Sequence, residues 1–219
     1  MGRRALPVRQ AGGAPMKPAR SMYRAILRCL ALAAALGLSG CSGGPPNPNP
    51  RAALPLVTVP VDLPRYMGRW YVIANIPYFA ERDVVASRAE WTLRQDGRID
   101  DAFVGRRGGF DKPESRYQFL DTVVPGSSGG AWRVRLFWPI HVSQLTLYVD
   151  PDYRYTLIGY PGKSLGWIFS REPEMDEATY RSLLARFDAM GYDTSRFRRV
   201  PQLPAQLGRP GFASPPANE

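Results

Sequence analysis

The chain has 219 residues, of which 44% are hydrophobic and 22% are charged, a composition typical of one globular domain with flanking segments. The formal charge of +10 is unevenly distributed, because seven of the 29 basic residues and no acidic residue lie in residues 1–41. The rest of the chain has 22 basic residues against 19 acidic ones. We therefore expect no nucleic-acid partner.

Residues 1–41 have the pattern of an export signal. Arg24 and Arg28 precede an apolar run, residues 29–38, that is too short to cross a bilayer as a stable helix. The run ends at Leu38-Ser39-Gly40-Cys41, which resembles a bacterial lipobox. We expect cleavage before Cys41 and attachment of acyl chains such as palmitate to it, which would anchor the protein in a membrane. The alternative is an ordinary cleaved signal in which Cys41 has no special role.

Residues 1–21 and the residue after Cys41 give two further expectations, on the start of translation and on the membrane that holds the anchor. Residues 1–21 have no periodicity and are either an extended first part of the signal or an over-long start of translation. Ser42 follows the acylated position, where an Asp is the signal for retention in the inner membrane. We therefore expect an anchor in the outer membrane with the domain facing the periplasm. Because Cys29 lies within the removed leader, the mature domain has no internal disulfide.

The rest of the chain divides by composition. Residues 42–60 are rich in Pro, Gly and Asn and predict an extended tether, whereas residues 201–219 predict a flexible tail. Residues 61–200 predict the folded domain. Short strand patterns separated by turn residues recur along it without helices between them, which favours an antiparallel, up-and-down sheet. The predicted strands are Trp70–Ile76, Ser87–Arg94, Ile99–Gly105, Arg116–Thr122, Trp132–Phe137, Gln144–Val149, Tyr153–Tyr160 and Gly166–Ser170, with a short final strand near Phe197–Val200.

One helix is predicted after these strands. Between Met175 and Met190, apolar residues occur at Tyr180, Leu183, Leu184 and Phe187, the spacing of a single apolar stripe. Such a stripe requires a partner surface, and the outside of the sheet is the large surface available. The sequence thus predicts an all-β, eight-stranded barrel with one C-terminal helix packed on the outside.

Three motifs in this order resemble those of the lipocalin family, and the lipobox makes the bacterial lipocalins the nearest branch. Gly68-Arg69-Trp70 is similar to the Gly-x-Trp motif before the first strand. Asp150-Pro151-Asp152-Tyr153 resembles the Thr-Asp-Tyr turn, with Pro151 where Thr is commoner. Trp167 to Arg171 resembles the third motif, whose Arg follows the last barrel strand. The resemblance implies structural roles for Gly68, Trp70, Asp150, Asp152, Tyr153, Trp167 and Arg171, with Arg171 over the Trp70 ring.

The resemblance also implies a cavity for a lipid-like small molecule, a fatty acid or a lysophospholipid, used in lipid storage, transport or membrane maintenance. Inward positions alternate along each strand, so the motifs set which side chains face the cavity. Arg106, Arg107, Arg133 and Arg135 are read as solvated surface, although an arginine at the barrel mouth could bind a head group. Thr146 and Trp132 are also expected to face inward. The predicted cavity lining is Ala89, Trp91, Leu93, Phe103, Tyr117, Phe119, Val134, Leu136 and Tyr148.

Three alternatives remain open at this point. The inward residues could pack together as core, which would favour an envelope structural or interaction lipoprotein with a filled barrel. A carboxylate-based enzyme is the third class, but Asp100 and Asp101 look like solvated charge at a turn. His141 is the one histidine in the chain and is expected in a loop, so we predict no catalytic residue, metal or cofactor. The protein is expected to be a monomer or a homodimer.

Overall fold

The computed structural model describes residues 47–137 and 139–214, so the leader with Cys41 lies outside the described residues. Within them, two α-helices and nine strands form the fold. The helices are α1 (Leu63–Tyr66) and α2 (Glu177–Ala189). The strands are β1 (Gly68–Asn75), β2 (Val84–Leu93), β3 (Arg98–Arg107), β4 (Glu114–Val123), β5 (Ala131–Phe137), β6 (Ile140–Val149), β7 (Tyr155–Gly159), β8 (Gly166–Ser170) and β9 (Arg198–Arg199).

The first eight strands close into a barrel. Each pairs antiparallel with the next along the chain, and β1 also pairs with β8 through Tyr71 opposite Ser170. The short β9 pairs with the end of β1. The predicted eight-stranded antiparallel barrel followed by one helix is therefore confirmed. Because the strands run up and down, the loops 76–83, 108–113 and 160–165 lie at one end, which we call the mouth, and α1 lies at the closed end.

Helix α2 packs on the outside of the barrel. The Asp176 side chain accepts a hydrogen bond from Thr179 N at 2.8 Å and caps its first turn. Leu183 and Phe187 are buried against Leu157 and Ile168, whose side chains point outward from the sheet. The predicted apolar stripe thus covers the outer face of β7 and β8. In residues 47–137 and 139–214, none of the helices is long and apolar enough to cross a membrane.

Five buried aromatic side chains fill the closed end, and we call them the aromatic floor: Tyr66, Trp70, Trp91, Trp132 and Phe169. Tyr66 enters from α1 and stacks on Trp91, with ring centroids 5.2 Å apart. The Tyr66 hydroxyl pairs with Thr156 Oγ1 at 2.8 Å, and Trp70 Nε1 donates to the Tyr66 carbonyl at 2.8 Å. The Tyr66 hydroxyl and the Trp70 indole N–H, both buried, therefore have hydrogen-bond partners, as buried polar groups of aromatic side chains usually do.

The motif residues organise the same end. Arg171 donates to the carbonyl oxygens of Arg69 and Arg65, each at 2.9 Å. Gly68 has a φ of +98°, and a Cβ there would lie 3.3 Å from Arg171 Nη1, so this position favours glycine. Asp150 is buried and accepts from the backbone N–H groups of Arg154 and Tyr155, which holds the β6–β7 turn. Asp152 is exposed in that turn.

The segments that flank the domain differ from the extended tether and flexible tail that composition predicts. From residue 47 the chain packs on the barrel: Asn49 is buried, and its Nδ2 donates to the Asp188 and Tyr192 carbonyls at 2.8 and 2.9 Å. Lys163 Nζ donates to the Ala52 and Leu54 carbonyls, both at 2.6 Å. The side chains of Asn49 and Lys163 hold the segment before the domain in place. The pattern of apolar residues in this segment therefore does not predict that it packs on the barrel.

The segment after β9 also packs on the barrel. Gln202 Nε2 donates to the Val72 carbonyl at 2.7 Å and to the Ser87 carbonyl at 3.0 Å, and Gln202 is buried. The second carbonyl lies where the β2–β3 register shifts between Val85 and Arg88. A β-bulge leaves backbone groups without partners in the sheet, and the Gln202 amide satisfies one of them.

Candidate ligand-binding site

Strand register determines which side chains face the barrel interior. Trp70 in the aromatic floor lies opposite Ala89, Ala89 opposite Phe103, and Phe103 opposite Tyr117, so all four share the inner face. By the same pairing, Trp91 lies opposite Asp101 and Asp101 opposite Phe119. Asp121 on β4 lies opposite Val134 on β5, so the inner face continues onto β5.

The predicted cavity lining divides into two groups. Toward the closed end, Ala89 and Trp91 are buried within the core around the aromatic floor, Leu93 packs against that core, and Val134 is buried on the same inner face. These side chains belong to the core, as expected if the inward residues pack together and fill the barrel. Toward the mouth, Phe103 and Phe119 are half-buried, whereas Tyr117 and Leu136 keep 44% and 42% of their surface exposed. Tyr117 faces inward opposite Phe103 and remains exposed, which indicates an unfilled upper half of the barrel. Leu136 lies where the β5–β6 register shifts between Arg135 and Phe137, outside the regular alternation from Val134.

The expectation that Tyr148 lines the cavity is wrong. The β6–β7 register shifts between Thr146 and Tyr148, so Leu147 and Tyr148 both lie on the outer face. Tyr148 is covered there by helix α2, and the guanidinium carbon of Arg186 lies 4.0 Å from its ring centroid. Val149 takes the inward position and packs against the core of the closed end. A bulge inserts one residue and reverses the alternation beyond it.

A recess opens inside the mouth between β2, β3 and β4. It is small and open to solvent, and we call it the recess. Phe103 and Tyr117 are the predicted cavity residues that line it. Alternation from Phe103 also places Gly105 and Arg107 inward, and this signal was available in the sequence. The recess is lined by Val84, Phe103, Gly105, Arg107, Ser115 and Tyr117.

The four arginines considered at the mouth occupy different positions. Arg107 lines the recess, and its Nη2 donates to the Ala80 carbonyl at 2.5 Å. Arg106 donates to the Lys112 carbonyl at 2.6 Å. Arg133 and Arg135 are exposed, and Arg135 lies opposite His141 on the outer face. Arg107 is thus the arginine of this group that a ligand in the recess would meet.

Loop 76–83, which we call the mouth loop, is attached to the barrel through Glu81. Its carboxylate accepts from Trp167 Nε1 at 2.8 Å and from Asn75 Nδ2 at 2.5 Å. Burial raises the pKa of Glu81, and the hydrogen bonds oppose that rise. Phe79 at the tip of this loop is 83% exposed. Sequence reasoning missed Glu81, because no periodicity in the loop indicates where its side chain points.

Asp101 is not solvated charge, and that expectation is wrong. It is 9% exposed on the inner face, whereas Asp100 is exposed and pairs with Arg94 Nη1 at 3.1 Å. Asp121 on β4 is fully buried, and it lies two residues along that strand from Phe119, the residue opposite Asp101. We call Asp101 and Asp121 the acidic pair. Burial is the largest cause of the raised pKa of both carboxyls, and their mutual repulsion adds to that of Asp121.

The enzyme alternative would require a base among these residues. His141 lies at the start of β6 and not in a loop, and it is exposed with Nδ1 3.0 Å from the Pro139 carbonyl oxygen. It points away from the interior, opposite Arg135. Within residues 47–137 and 139–214, no group of His, Cys, Asp or Glu side chains has the arrangement of a metal site.

Known proteins resemble this chain over the same region. Residues 61–202 match the family model described as a lipocalin-like domain. Temperature-induced lipocalin-1 of Arabidopsis thaliana is 35% identical over 153 residues, which cover 65% of this chain and 80% of that protein. Outer membrane lipoprotein Blc of Escherichia coli (strain K12) is 31% identical over 144 residues, covering 64% and 79%. The Vibrio cholerae protein of the same name is 26% identical over 169 residues, covering 75% and 92%.

Solved structures share the barrel at lower identity. Insecticyanin from the tobacco hornworm Manduca sexta superposes with a TM-score of 0.55 at 19% identity, covering 69% of this chain and 87% of that one. Apocrustacyanin C2 superposes with a TM-score of 0.53 at 16% identity, covering 66% and 81%. At these identities the likeness concerns the fold alone.

Proposed function

Because the chain belongs to the lipocalin family, we propose that it is an envelope lipoprotein that holds a hydrophobic ligand in the upper half of its barrel. A fatty acid or a lysophospholipid is the ligand we propose, for lipid storage, transport or membrane maintenance. One observation carries the proposal: the aromatic floor fills the closed end, while inward-facing Tyr117 near the mouth remains 44% exposed. Apolar side chains left uncovered inside a barrel are suited to bind an apolar chain.

The proposal includes an outer-membrane anchor through acyl chains on Cys41. The relatives named outer membrane lipoprotein Blc support this location, together with the lipobox pattern at Leu38 to Cys41. Several acyl chains give durable attachment, since each buried methylene contributes about 0.8 kcal/mol. The barrel would then lie at the membrane surface, where lipid ligands are available.

Titration with the neutral fluorescent dye Nile red tests the binding proposal. The described residues from 47 onward form one compact unit, so the chain from Ser42 onward is suitable for this measurement. We expect micromolar binding that a fatty acid or a lysophospholipid displaces. Ser115→Trp should fill the recess and weaken dye binding about tenfold, equivalent to about 1.4 kcal/mol.

Gln118→Trp is the matched control, because Gln118 is exposed on the same strand and alternation places it on the outer face. This variant should bind the dye with unchanged affinity, and circular dichroism would establish that both variants are folded. If the wild-type protein binds no dye at micromolar concentration, the proposal is wrong. An envelope interaction lipoprotein with a filled barrel would then be the better interpretation.

A further inference from the structure

The segment of residues 47–54, which we call the docked segment, joins the barrel at its mouth end. Lys163 belongs to loop 160–165 at the mouth and is buried. Its Nζ donates to the carbonyl oxygens of Ala52 and Leu54, both at 2.6 Å. Burying an ammonium group without such bonds is strongly unfavourable, so these contacts hold the segment in place. The chain therefore enters the folded domain at the mouth.

The chain between the proposed anchor and the docked segment is short. Asn47 Nδ2 donates to the Gly191 carbonyl at 2.9 Å, and a Cβ on Gly191 would lie 3.0 Å from Lys163 Nζ, so Asn47 also lies at the mouth end. Asn47 follows Cys41 by six positions. An extended chain of that length spans at most about 20 Å. The acylated cysteine would therefore lie within about 20 Å of Asn47.

From the docked segment the chain runs to the closed end. Leu54 is held at the mouth, and seven positions later Val61 N donates at 2.9 Å to the carbonyl of Ser128, in the loop between β4 and β5 at the closed end. Helix α1 adds a layer about 10 Å thick at that end. The six positions from Cys41 to Asn47 are too few to retrace this path and pass the helix. An anchor at Cys41 therefore holds the mouth, and not the closed end, near the bilayer.

The mouth carries exposed apolar side chains. Phe79 at the tip of the mouth loop is 83% exposed, which is the largest value among the exposed large apolar side chains that the structure describes. Leu136 and Ile140 in the β5–β6 hairpin at the same end are 42% and 45% exposed. Several apolar side chains left in water at one end of a domain indicate a partner surface.

Arginines flank the exposed ring, close to the docked segment. Ile76 N at the start of the mouth loop donates to the Gly166 carbonyl at 3.0 Å, so this loop lies beside loop 160–165. Arg82 in the mouth loop and Arg107 at the recess are both exposed. Within the described residues neither forms an ion pair. Their guanidinium groups are therefore available to phosphate head groups, which arginine binds well.

We infer that the mature protein lies with its mouth against the bilayer that holds its acyl anchor, and that the Phe79 ring enters the lipid surface. This inference rests on the proposed function and adds the orientation in which ligand is taken up. An aromatic ring flanked by arginines fits a lipid surface, because the ring leaves water while the guanidinium groups stay among the phosphates. The recess opens at the same end, so a lipid would pass between bilayer and barrel without crossing bulk water.

Fluorescence quenching by a labelled lipid tests this orientation. With Cys29 removed and Cys41 acylated, the mature protein has no free thiol, so one substituted cysteine can carry the environment-sensitive dye NBD. Phe79→Cys puts the dye on the mouth loop, and Gln95→Cys puts it on the exposed β2–β3 turn at the closed end. The acylated proteins would be inserted into vesicles of phosphatidylethanolamine and phosphatidylglycerol that contain a lipid with a nitroxide head group. We expect the dye at position 79 to lose most of its fluorescence and the dye at position 95 to keep it.

Release of the docked segment should remove this difference. Asn49→Ala/Lys163→Ala deletes the side chains that hold the segment, so the barrel would turn freely on a longer chain and the two dyes would be quenched alike. Lys112→Ala is the matched control, because Lys112 lies in another mouth loop and pairs with Asp111. It should keep the difference. If the double variant does not fold, a long Gly/Ser linker inserted after Ser42 should have the same effect without changing the docked segment.

Equal quenching at both positions of the parent protein, or stronger quenching at position 95, would overturn the inference and leave ligand binding intact. A dye at position 79 that is shielded from water but not quenched would mean that protein, such as a second copy, covers the mouth. That result would also overturn the inference. If the mature protein carries no acyl chain, the proposed anchor is wrong and the orientation with it. Nile red binding to the chain from Ser42 onward tests the ligand proposal separately.

Discussion

The guanidinium carbon of Arg171 lies 3.8 Å from the centroid of the Trp70 ring, so the last barrel strand and the first are joined by one cation–π contact. Trp70 is fully buried, and Arg171 also donates to the carbonyls of Arg65 and Arg69. Such a contact contributes about 0.5–2 kcal/mol. The pair therefore stabilises the closed end where the barrel seam lies.

Trp70→Ala should lower the free energy of unfolding by roughly 3–5 kcal/mol, because it removes a large side chain from the aromatic floor. Arg171→Ala should cost less, since part of the arginine is solvated. In a double-mutant cycle by urea denaturation, the two losses should be non-additive, with a coupling free energy of about 0.5 kcal/mol or more. Strict additivity would mean that the pair contributes no coupling.

Sequence patterns predict the scaffold better than the cavity. Gly68, Trp70 and Arg171 occupy positions of the three motifs that resemble those of the lipocalins, so the resemblance predicts their roles. Phe103 and Tyr117 were placed correctly because the β3–β4 register is unbroken over their length. Tyr148 was not, because a bulge within β6 is invisible in an alternating sequence.

The charge of Asp101 suggested a solvated position, whereas the alternation along β3 predicts an inward one. Phe103 facing inward requires Asp101 to face inward as well, yet a charged residue near a turn is usually solvated. The Asn49 and Gln202 contacts that hold the flanking segments arise from single side chains placed by the tertiary structure. Composition alone therefore predicted a tether and a tail where the chain packs on the barrel from residue 47.

The acidic pair predicts how stability depends on pH. Burial raises the pKa of Asp101 and Asp121 in the folded protein above the ordinary value of 3.8. Above about pH 4 the folded protein therefore holds protons that the unfolded chain has released, and the free energy of unfolding falls as pH rises. Each retained proton contributes a slope of about 1.4 kcal/mol per pH unit.

Asp121→Asn should remove part of this slope and raise stability at pH 7 relative to the wild type. Urea denaturation between pH 4 and pH 8 measures the effect. Asp100→Asn should leave the slope unchanged because its carboxylate is exposed. A wild-type protein more stable at pH 7 than at pH 5 would contradict the burial of these two carboxyls.

Cys41 predicts the anchor. Cys41→Ala should block acylation and processing, so that the precursor accumulates at the size of the uncleaved chain. Palmitate labelling followed by fractionation of the envelope measures both effects. Ser42→Ala, which keeps the cysteine and introduces no acidic residue, should be acylated and reach the outer membrane. Normal maturation of Cys41→Ala would mean that the signal is an ordinary cleaved one.

The hydrogen bonds of Glu81 predict how the mouth loop moves. Its carboxylate accepts from Trp167 Nε1 on β8 and from Asn75 Nδ2 at the end of β1, and so attaches loop 76–83 to both sides of the barrel seam. Glu81→Gln replaces an acceptor-only carboxylate with an amide that brings two N–H donors of its own. One of the two partner donors then loses its acceptor, and we expect the loop to open more often.

Amide hydrogen exchange should therefore increase by about fivefold or more in residues 77–83, equivalent to a loss of about 1 kcal/mol in the free energy of local opening. Exchange in β7 and in helix α2 should not change, because neither contacts the loop through Glu81. Glu172→Gln is the control, since Glu172 is exposed beyond the end of β8. Nile red should also dissociate faster from Glu81→Gln if the mouth loop delays ligand exit. Unchanged exchange in residues 77–83 would show that Glu81 does not hold the loop, and its two hydrogen bonds would then have no role in gating the mouth.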